Sequence, residues 1–476
     1  MRAARPYTYL ATVQGMCRTC RAIRPARVFA ENGAVYQQSL CPSCPPRKVR
    51  IADSLQWYQQ RMRNAVQPRP WQRSPEPVQR GCPHDCGPCQ AHANACHLPV
   101  FSITNVCDMQ CPICFTYNRP DRQYFMSRDE IRRLLDELLQ RTGPLDLVNI
   151  TGGEPTCHPQ LLDLLDEARR PEIGRITVNS NGLRLAEDEE LCRRLADMGV
   201  YVILSLHTLD PARSRTIHGR DVTRQKLKAL ENLQRFGIGT TLLNVMIRGL
   251  NEDDFAGVLS LAQTHDVVRS ITVQTMTFTG QGGGSFDAGE HLPLDGAEQA
   301  IEQATSGTMR ATHFFAHPGA HPLCYSIAYY LRCGQQLRSL TDILPSADLR
   351  SGFGGGYLLH LSDAGLQQMR DRIDAIYADG ADPALLQALR QLVLSAHTSG
   401  EAPNRFGQQR AAEKHVLTVY LHSHMDEDTL DLGRLCACPD QVPDPDGRLI
   451  PACSYNLFYR MRDARFYGAQ DGAARC

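Results

Sequence analysis

The stretch "LPVFSITNVCDMQCPICF", residues 98–115, decides how the rest of the chain is read. It opens as a short β-rich run, "LPVFSI", and leads directly into three thiols, Cys107, Cys111 and Cys114, within eight residues. A closed tetrahedral site asks for four protein ligands, and nothing adjacent supplies the fourth. A four-iron cluster held by three thiolates keeps one iron open to bind something else. The loop therefore reads as a reactive centre at the end of a strand.

Downstream the same plan repeats. "SRDE" at 127–130 is a capping box, and Ile131, Leu134, Leu135, Leu138 and Leu139 follow along one helix face as far as Gly143. "LDLVNI" at 145–150 is a buried strand ending in "TGGEP"; "RITVNSNG", "VYVILSLH", "TTLLNVMIRG" and "SITVQTMTFTG" come next, with amphipathic helical patterns between them. Alternation of this kind predicts an α/β fold with a parallel sheet. Six strand ends between 98 and 278 make it a partial (β/α)6 barrel, smaller than the eight-stranded form. Ligands collect at the carboxyl ends of such strands, so Gly152, Gly153, Glu154, Asn179, Ser180, Ser205 and Gln274 become candidate site residues. Each motif alone is a common turn; their succession at strand ends signals a site.

The chain is 476 residues long, too long for one ordinary core, and carries 19 cysteines. Its first residues lack the apolar core of a signal peptide, and no stretch approaches the roughly 20 apolar residues of a membrane span, so a soluble cytoplasmic protein is expected. That compartment keeps thiols reduced, which turns short-spaced cysteines into expected metal ligands. Basic and acidic residues balance at 51 each, and aromatics do not interleave with basic runs. A nucleic-acid partner is therefore not expected, and a small molecule is.

The other cysteines fall into three groups. "CRTC" and "CPSC" are two hooks, with Cys17, Cys20, Cys41 and Cys44 closing a tetrahedron that suits zinc or a single iron. "GCPHDCGPCQAHANAC" offers Cys82, Cys86, Cys89 and Cys96 for a saturated four-iron cluster or a second zinc site. Near the carboxyl end Cys436, Cys438 and Cys453, with the distant Cys324, suggest a further cluster, Asp446-Gly447 turning a hairpin that returns Cys453 toward Cys438. Cys157, Cys192, Cys333 and Cys476 receive no role. The His422/His424 pair is weak as a metal motif, "GQGGGSF" at 280–286 reads as a mobile loop or lid, and "GFGGGY" at 352–357 lacks the context of a dinucleotide site.

The cysteine loop after a first strand, GGEP after a second and the later strand-end motifs resemble a radical S-adenosylmethionine (SAM) enzyme. The resemblance implies that Cys107, Cys111 and Cys114 hold the reactive [4Fe-4S] cluster, that Gly152, Gly153, Glu154 and Pro155 contact the methionine amine, and that Asn179, Ser180 and Ser205 reach ribose or carboxylate. It places Ile247 and Gly249 beside adenine, with the aliphatic Ile113 where an aromatic residue is usual. The outer motifs, from the paired hooks to "DPDGRLIPACSYNLFYR", resemble the tetraether lipid synthase and pterin methyltransferase-like family. That likeness implies a single metal at a rubredoxin-like knuckle, two auxiliary clusters, SAM, and an electron donor such as flavodoxin or ferredoxin.

The expected organisation is a knuckle at 1–50, a linker and auxiliary loop at 51–97, the barrel at 98–310, a helical substrate-covering region at 311–435 and an auxiliary-cluster segment at 436–476. The leading expectation is carbon–carbon bond formation on a lipid or other apolar chain in a tunnel walled by helices such as "LLQALRQLVLSAH". Methylation of a pterin or natural-product scaffold is the alternative, and a noncatalytic multi-zinc scaffold the third.

Overall fold

Alternating buried and half-buried positions fold the first fifty residues into an antiparallel sheet of β1 (Thr8–Met16), β2 (Ile23–Glu31), β3 (Ala34–Ser39) and β4 (Lys48–Ala52), paired in that order. The β2–β3 turn is Asn32-Gly33, both at positive φ (51° and 80°), as a two-residue hairpin requires. The two cysteine hooks occupy the β1–β2 and β3–β4 connections, which lie at the same end of the sheet. The computed structural model describes residues 6–466 apart from 74, 88, 117–121, 290, 353–355, 379, 381 and 398–404.

A helix at Leu55–Met62, capped by Ser54, fastens this sheet to the rest of the chain. Arg61 donates to Glu298 Oε1 at 2.5 Å and Trp57 Nε1 donates to Glu298 Oε2 at 2.8 Å. Both charges are buried, so removing one partner would leave the other desolvated and uncompensated.

The central sheet runs β5 (Leu98–Ser102), β6 (Val148–Thr151), β7 (Ile176–Ser180), β8 (Tyr201–Ser205), β9 (Thr240–Met246) and β10 (Val268–Thr275), all parallel and in chain order. These are the six strands expected. The helix Arg128–Thr142 between β5 and β6 begins where expected, with Ser127 Oγ accepting from Glu130 N at 3.1 Å, and ends at Gly143. Its buried leucines pack on Val148, Ile150 and Leu164 in the principal core, each contributing about 1.5–3 kcal/mol.

The region after residue 310 departs from the helical expectation. It holds β11 (Phe315–Ala316), β12 (Tyr325–Cys333), β13 (Gln336–Ser339) and β14 (Val416–His422), as well as helices Asp363–Ala378 and Pro383–His397. β14 pairs parallel with β10, lengthening the barrel wall beyond residue 310. At the opposite edge β15 (Asp440–Pro443) pairs parallel with β5, then turns at Gly447 into the antiparallel β16 (Leu449–Pro451). The two added edges meet: His422 Nε2 lies 3.7 Å from Asp440 Oδ2, and Tyr325 OH donates to that oxygen at 2.5 Å. "VLTVYLH" is a short continuous apolar run, a pattern in which period alone cannot tell strand from helix.

Candidate metal and cofactor site

A barrel lumen is ordinarily filled by side chains; this one contains a cavity of about 250 Å³. Gly152, Asn179 and Gln274 line it at the carboxyl ends of the strands, Thr177, Leu243 and Thr272 at mid-height, and Arg175 and Glu413 at the amino ends. Arg175 donates to Glu413, which also accepts from Tyr201 OH at 2.7 Å, and this buried group closes the floor. At the mouth stand Phe115 and Thr116 from the cysteine loop.

The two glycines of "TGGEP" are explained by the stem of that loop. Gly153 N donates to Thr104 O at 2.7 Å and Glu154 N to Val106 O at 2.8 Å. A Cβ on Gly152 would lie 2.2 Å from Thr104 O, and one on Gly153 2.3 Å from Val106 O. Only glycine lets the two backbones approach this closely. Glu154 is 1% exposed and its carboxylate is occupied within the protein. It accepts from Asn181 N at 2.7 Å, Thr156 N at 3.1 Å, Thr156 Oγ1 at 2.8 Å and Ser180 Oγ at 2.9 Å. It therefore fixes the β6 and β7 ends against each other, with Pro155 starting the buried 3-10 turn beside it.

Cys107, Cys111 and Cys114 are half-buried. Met109 N donates to Cys107 Sγ at 3.4 Å, Cys111 Sγ lies 3.6 Å from His218 Nδ1, and Cys114 Sγ lies 3.2 Å from Thr116 Oγ1. Burial, reinforced by Cys114, pushes the Cys111 thiol up to about 11, and burial raises Cys107 further. Thiolates here call for the positive charge of a bound metal centre, which inverts that preference. Among the described residues only Cys17, Cys20, Cys41 and Cys44 bring their ligand atoms all within 4.8 Å of one another. That compactness fits one ion, whereas the wider loop thiols fit a cluster whose irons each take one thiolate.

The remaining cysteines group differently from their order in sequence. The Cys82 thiol is raised by Cys436 and Cys86, which stand beside it, and these three line one cleft with Cys89. Cys96 is fully buried in the barrel core near Phe101 and Ile103. Cys324, Cys438 and Cys453 form the other set; burial first raises Cys438 and Cys453, with the Asp440 carboxylate and the neighbouring thiols adding to it. Arg434 Nε donates to Cys324 Sγ at 3.3 Å, Met425 N donates to Cys453 Sγ at 3.3 Å, and His424 Nδ1 lies 3.6 Å from Cys453 Sγ. The expected grouping thus changes at two positions: Cys436 stands where Cys96 was expected, and a histidine stands beside the three thiols left.

The other expected residues lie around the mouth. Asn179 lines the cavity, and its Oδ1 has no partner among the described residues. Ser180 Oγ accepts from Gly182 N at 3.0 Å. Ile247 packs with Ile113, Met276 and Phe278, and Gly249 turns the chain after β9 at φ 73°. Sequence reasoning missed Lys226, whose Nζ donates to Asn181 O at 2.9 Å, Ser205 O at 2.7 Å and Ser205 Oγ at 2.9 Å. Burial lowers it to about 8. Its signal was a lysine in helical register with the apolar Leu230 and Leu233. The glycine run at 280–286 is no free lid, since Gly282 N donates to Cys114 O at 2.9 Å and a Cβ on Gly280 would meet Phe115 C at 2.3 Å. Part of "GFGGGY" lies outside the described residues.

A parallel partial barrel whose first strand ends in a three-thiol loop, braced by a diglycine, defines a cluster-bearing enzyme fold. Residues 101–262 match the radical SAM superfamily. The chain is 23% identical to the 7,8-dihydro-6-hydroxymethylpterin dimethyltransferase of Methanocaldococcus jannaschii over 94% of its own length and 93% of that protein's. It is 32% identical to the GTP 3′,8-cyclase of Chlorobaculum tepidum over 36% of its length, spanning 52% of that relative. Among solved structures, Streptococcus suis SuiB bound to S-adenosylmethionine is similar with a TM-score of 0.38 and 19% identity, over 44% of this chain and 47% of that one. The chain thus carries a radical SAM domain at residues 101–262 and is an enzyme. That domain implies a [4Fe-4S] cluster and SAM as cofactors, and among the described residues no helix is long and apolar enough to cross a membrane.

Proposed function

We propose that this enzyme methylates a small molecule held in the barrel cavity. The cavity itself carries the reading. At about 250 Å³ it sits just below the usual range for small-molecule sites, roughly 300–1,000 Å³. Its wall mixes apolar residues, among them Leu147, Ile203, Leu243 and Leu358, with the polar Thr177, Asn179, Thr272 and Gln274. Asn179 Oδ1, without a partner among the described residues, offers an acceptor at the mouth of this cavity. The apolar-chain coupling favoured by sequence also expected a tunnel walled by the helix Pro383–His397. Leu389 and Leu392 of that helix instead pack with Leu331 and Val416 in a separate core. The full-length similarity to a pterin dimethyltransferase supports the same direction.

In this reading Cys107, Cys111 and Cys114 hold the cluster that, with SAM, supplies a 5′-deoxyadenosyl radical for hydrogen abstraction. Asn179, Ser205 and the Gly152–Pro155 turn border the cofactor, while Ile113 and Ile247 give it an apolar wall. Lys226 keeps the β7 and β8 ends in place beneath it. Cys82, Cys86, Cys89 and Cys436 hold one auxiliary cluster; Cys324, Cys438 and Cys453, completed by His424, hold a second. The four hook cysteines hold a single iron or zinc. An electron donor such as a flavodoxin or ferredoxin reduces the reactive cluster.

The test is anaerobic incubation of cluster-loaded enzyme with methyl-labelled SAM, a reductant and a low-molecular-weight cell extract, followed by mass spectrometry. A product heavier than a consumed metabolite by one or two CH2 units supports methylation, and the label reports whether SAM donates the carbon. A product joining two substrate molecules would overturn it.

A further inference from the structure

After Cys453 the chain does not continue as an ordinary α-helix. Residues Tyr455–Tyr459 form a π-helical turn, a form that is rare and concentrates at functional sites. This turn presents Tyr455, Asn456 and Arg460 to the barrel cavity. Arg460 is 6% exposed, yet its Nε and Nη2 have no hydrogen-bond partner among the described residues. The carboxylate three residues on is already engaged: Asp463 accepts from Arg465 Nη2 at 2.7 Å and from Tyr455 OH at 2.5 Å. The Phe466 ring, 4.8 Å from the guanidinium carbon, covers one side of Arg460 but offers no acceptor.

A buried guanidinium with free N–H groups is costly unless an anion completes it. Its planar fork suits an oxyanion, carboxylate or phosphate, better than any neutral group. The other buried cation of the cavity, Arg175, already has Glu413. We infer that the substrate carries an oxyanionic group, bound by Arg460 with Asn456 beside it, on the cavity wall formed by the segment that follows Cys453. This rests on the reading of the cavity as the substrate site and narrows the substrate to an anionic one. The anion would anchor the molecule at one wall and so fix which carbon faces the mouth.

The experiment is calorimetric titration of cluster-loaded full-length protein with inorganic phosphate, with acetate and, separately, with SAM, comparing wild type with Arg460→Gln and Arg460→Lys. Saturable binding of phosphate or acetate is expected in wild type, weakened at least tenfold by Arg460→Gln and partly kept by Arg460→Lys, with SAM affinity unchanged. Preference for phosphate over acetate would assign a phosphoryl group, and the reverse a carboxylate. Equal anion binding in wild type and Arg460→Gln would overturn the inference, as would a parallel tenfold loss of SAM affinity, which would give the arginine to the cofactor. Should Arg460→Gln not fold, Asn456→Ala decides: a several-fold weakening supports the site and unchanged binding overturns it. None of these titrations depends on turnover, so the inference can fail while methylation stands, and methylation can fail while the anion site stands.

Discussion

His424 Nδ1 lies 3.6 Å from Cys453 Sγ, and the same imidazole stacks on Phe115 with ring centroids 5.7 Å apart. One side chain thus joins the carboxyl-terminal cysteine set to the residue that follows Cys114. A four-iron cluster held by the three thiols Cys324, Cys438 and Cys453, as proposed, would lack a cysteine at one corner, and this imidazole is placed to take it. Histidine ligation raises the potential of a cluster relative to all-cysteine ligation. Pulsed electron paramagnetic resonance of reduced protein carrying 15N-histidine should therefore show one strongly coupled nitrogen, absent from His424→Ala. Survival of that coupling in the variant would remove His424 from the ligand set.

The regrouping of Cys436 with Cys82 and Cys86 separates two substitutions that sequence order treats the other way round. Cys436→Ser should lose one cluster's worth of iron and sulfide. Cys96→Ser changes a fully buried core thiol; it should lower stability by about 1–3 kcal/mol through an added buried hydroxyl while iron content holds. Iron analysis of the two purified proteins checks this, and iron loss from Cys96→Ser but not Cys436→Ser would restore the order read from the sequence.

Much of this was legible before any fold was known, because it is written in local patterns. A β-rich run, a capping box and a glycine pair announce themselves within a few residues, so β5 to β10 and the reactive loop could be placed from sequence. Cys436 and His424 could not be placed in the same way. Cys436 reaches Cys82 only because β15 docks on β5, a contact across more than three hundred residues that no short-range spacing encodes. The histidine pair reads as a weak metal motif because its partner thiol arrives from the far side of the β15–β16 hairpin. Glu154 reads from sequence as part of a cofactor-contacting turn; that its carboxylate is occupied within the protein becomes visible only with the β7 end in position.

Asp295 joins the knuckle to the barrel by accepting from Ser54 N at 2.7 Å. Burial raises its pKa from 3.8 to about 6. A carboxyl whose folded pKa lies above its unfolded value favours folding below pH 3.8 and loses that contribution as pH rises through about 6. Above that pH its ionisation costs roughly 3 kcal/mol. Asp295→Asn keeps an acceptor for Ser54 without the charge. Anaerobic denaturant titrations should find the variant and wild type equally stable near the unfolded pKa and the variant more stable at neutral pH. A gap that does not widen between those conditions would show that the carboxylate is solvated.

The diglycine is the most exacting feature of the reactive loop, and it can be tested without touching a ligand. Gly153 approaches Val106 so closely that an added Cβ would sit 2.3 Å from the carbonyl oxygen and 2.7 Å from its carbon. Backbone, unlike the end of a flexible side chain, cannot give way cheaply, and here it is the stem that leads to Cys107. Gly153→Ala should therefore push the cysteine loop away from the β6 end and break the bonds Gly153 N to Thr104 O and Glu154 N to Val106 O. Reductive SAM cleavage should fall at least a hundredfold, since a misplacement of about 1 Å costs that much. The single ion proposed for Cys17, Cys20, Cys41 and Cys44, on a separate sheet, should remain bound. Gly199 provides the control: it also has positive φ, at 66°, but nothing stands within 4 Å of its added Cβ. Gly199→Ala should cost only backbone strain and leave SAM cleavage near wild type, so equal loss in both variants would trace the effect to general destabilisation.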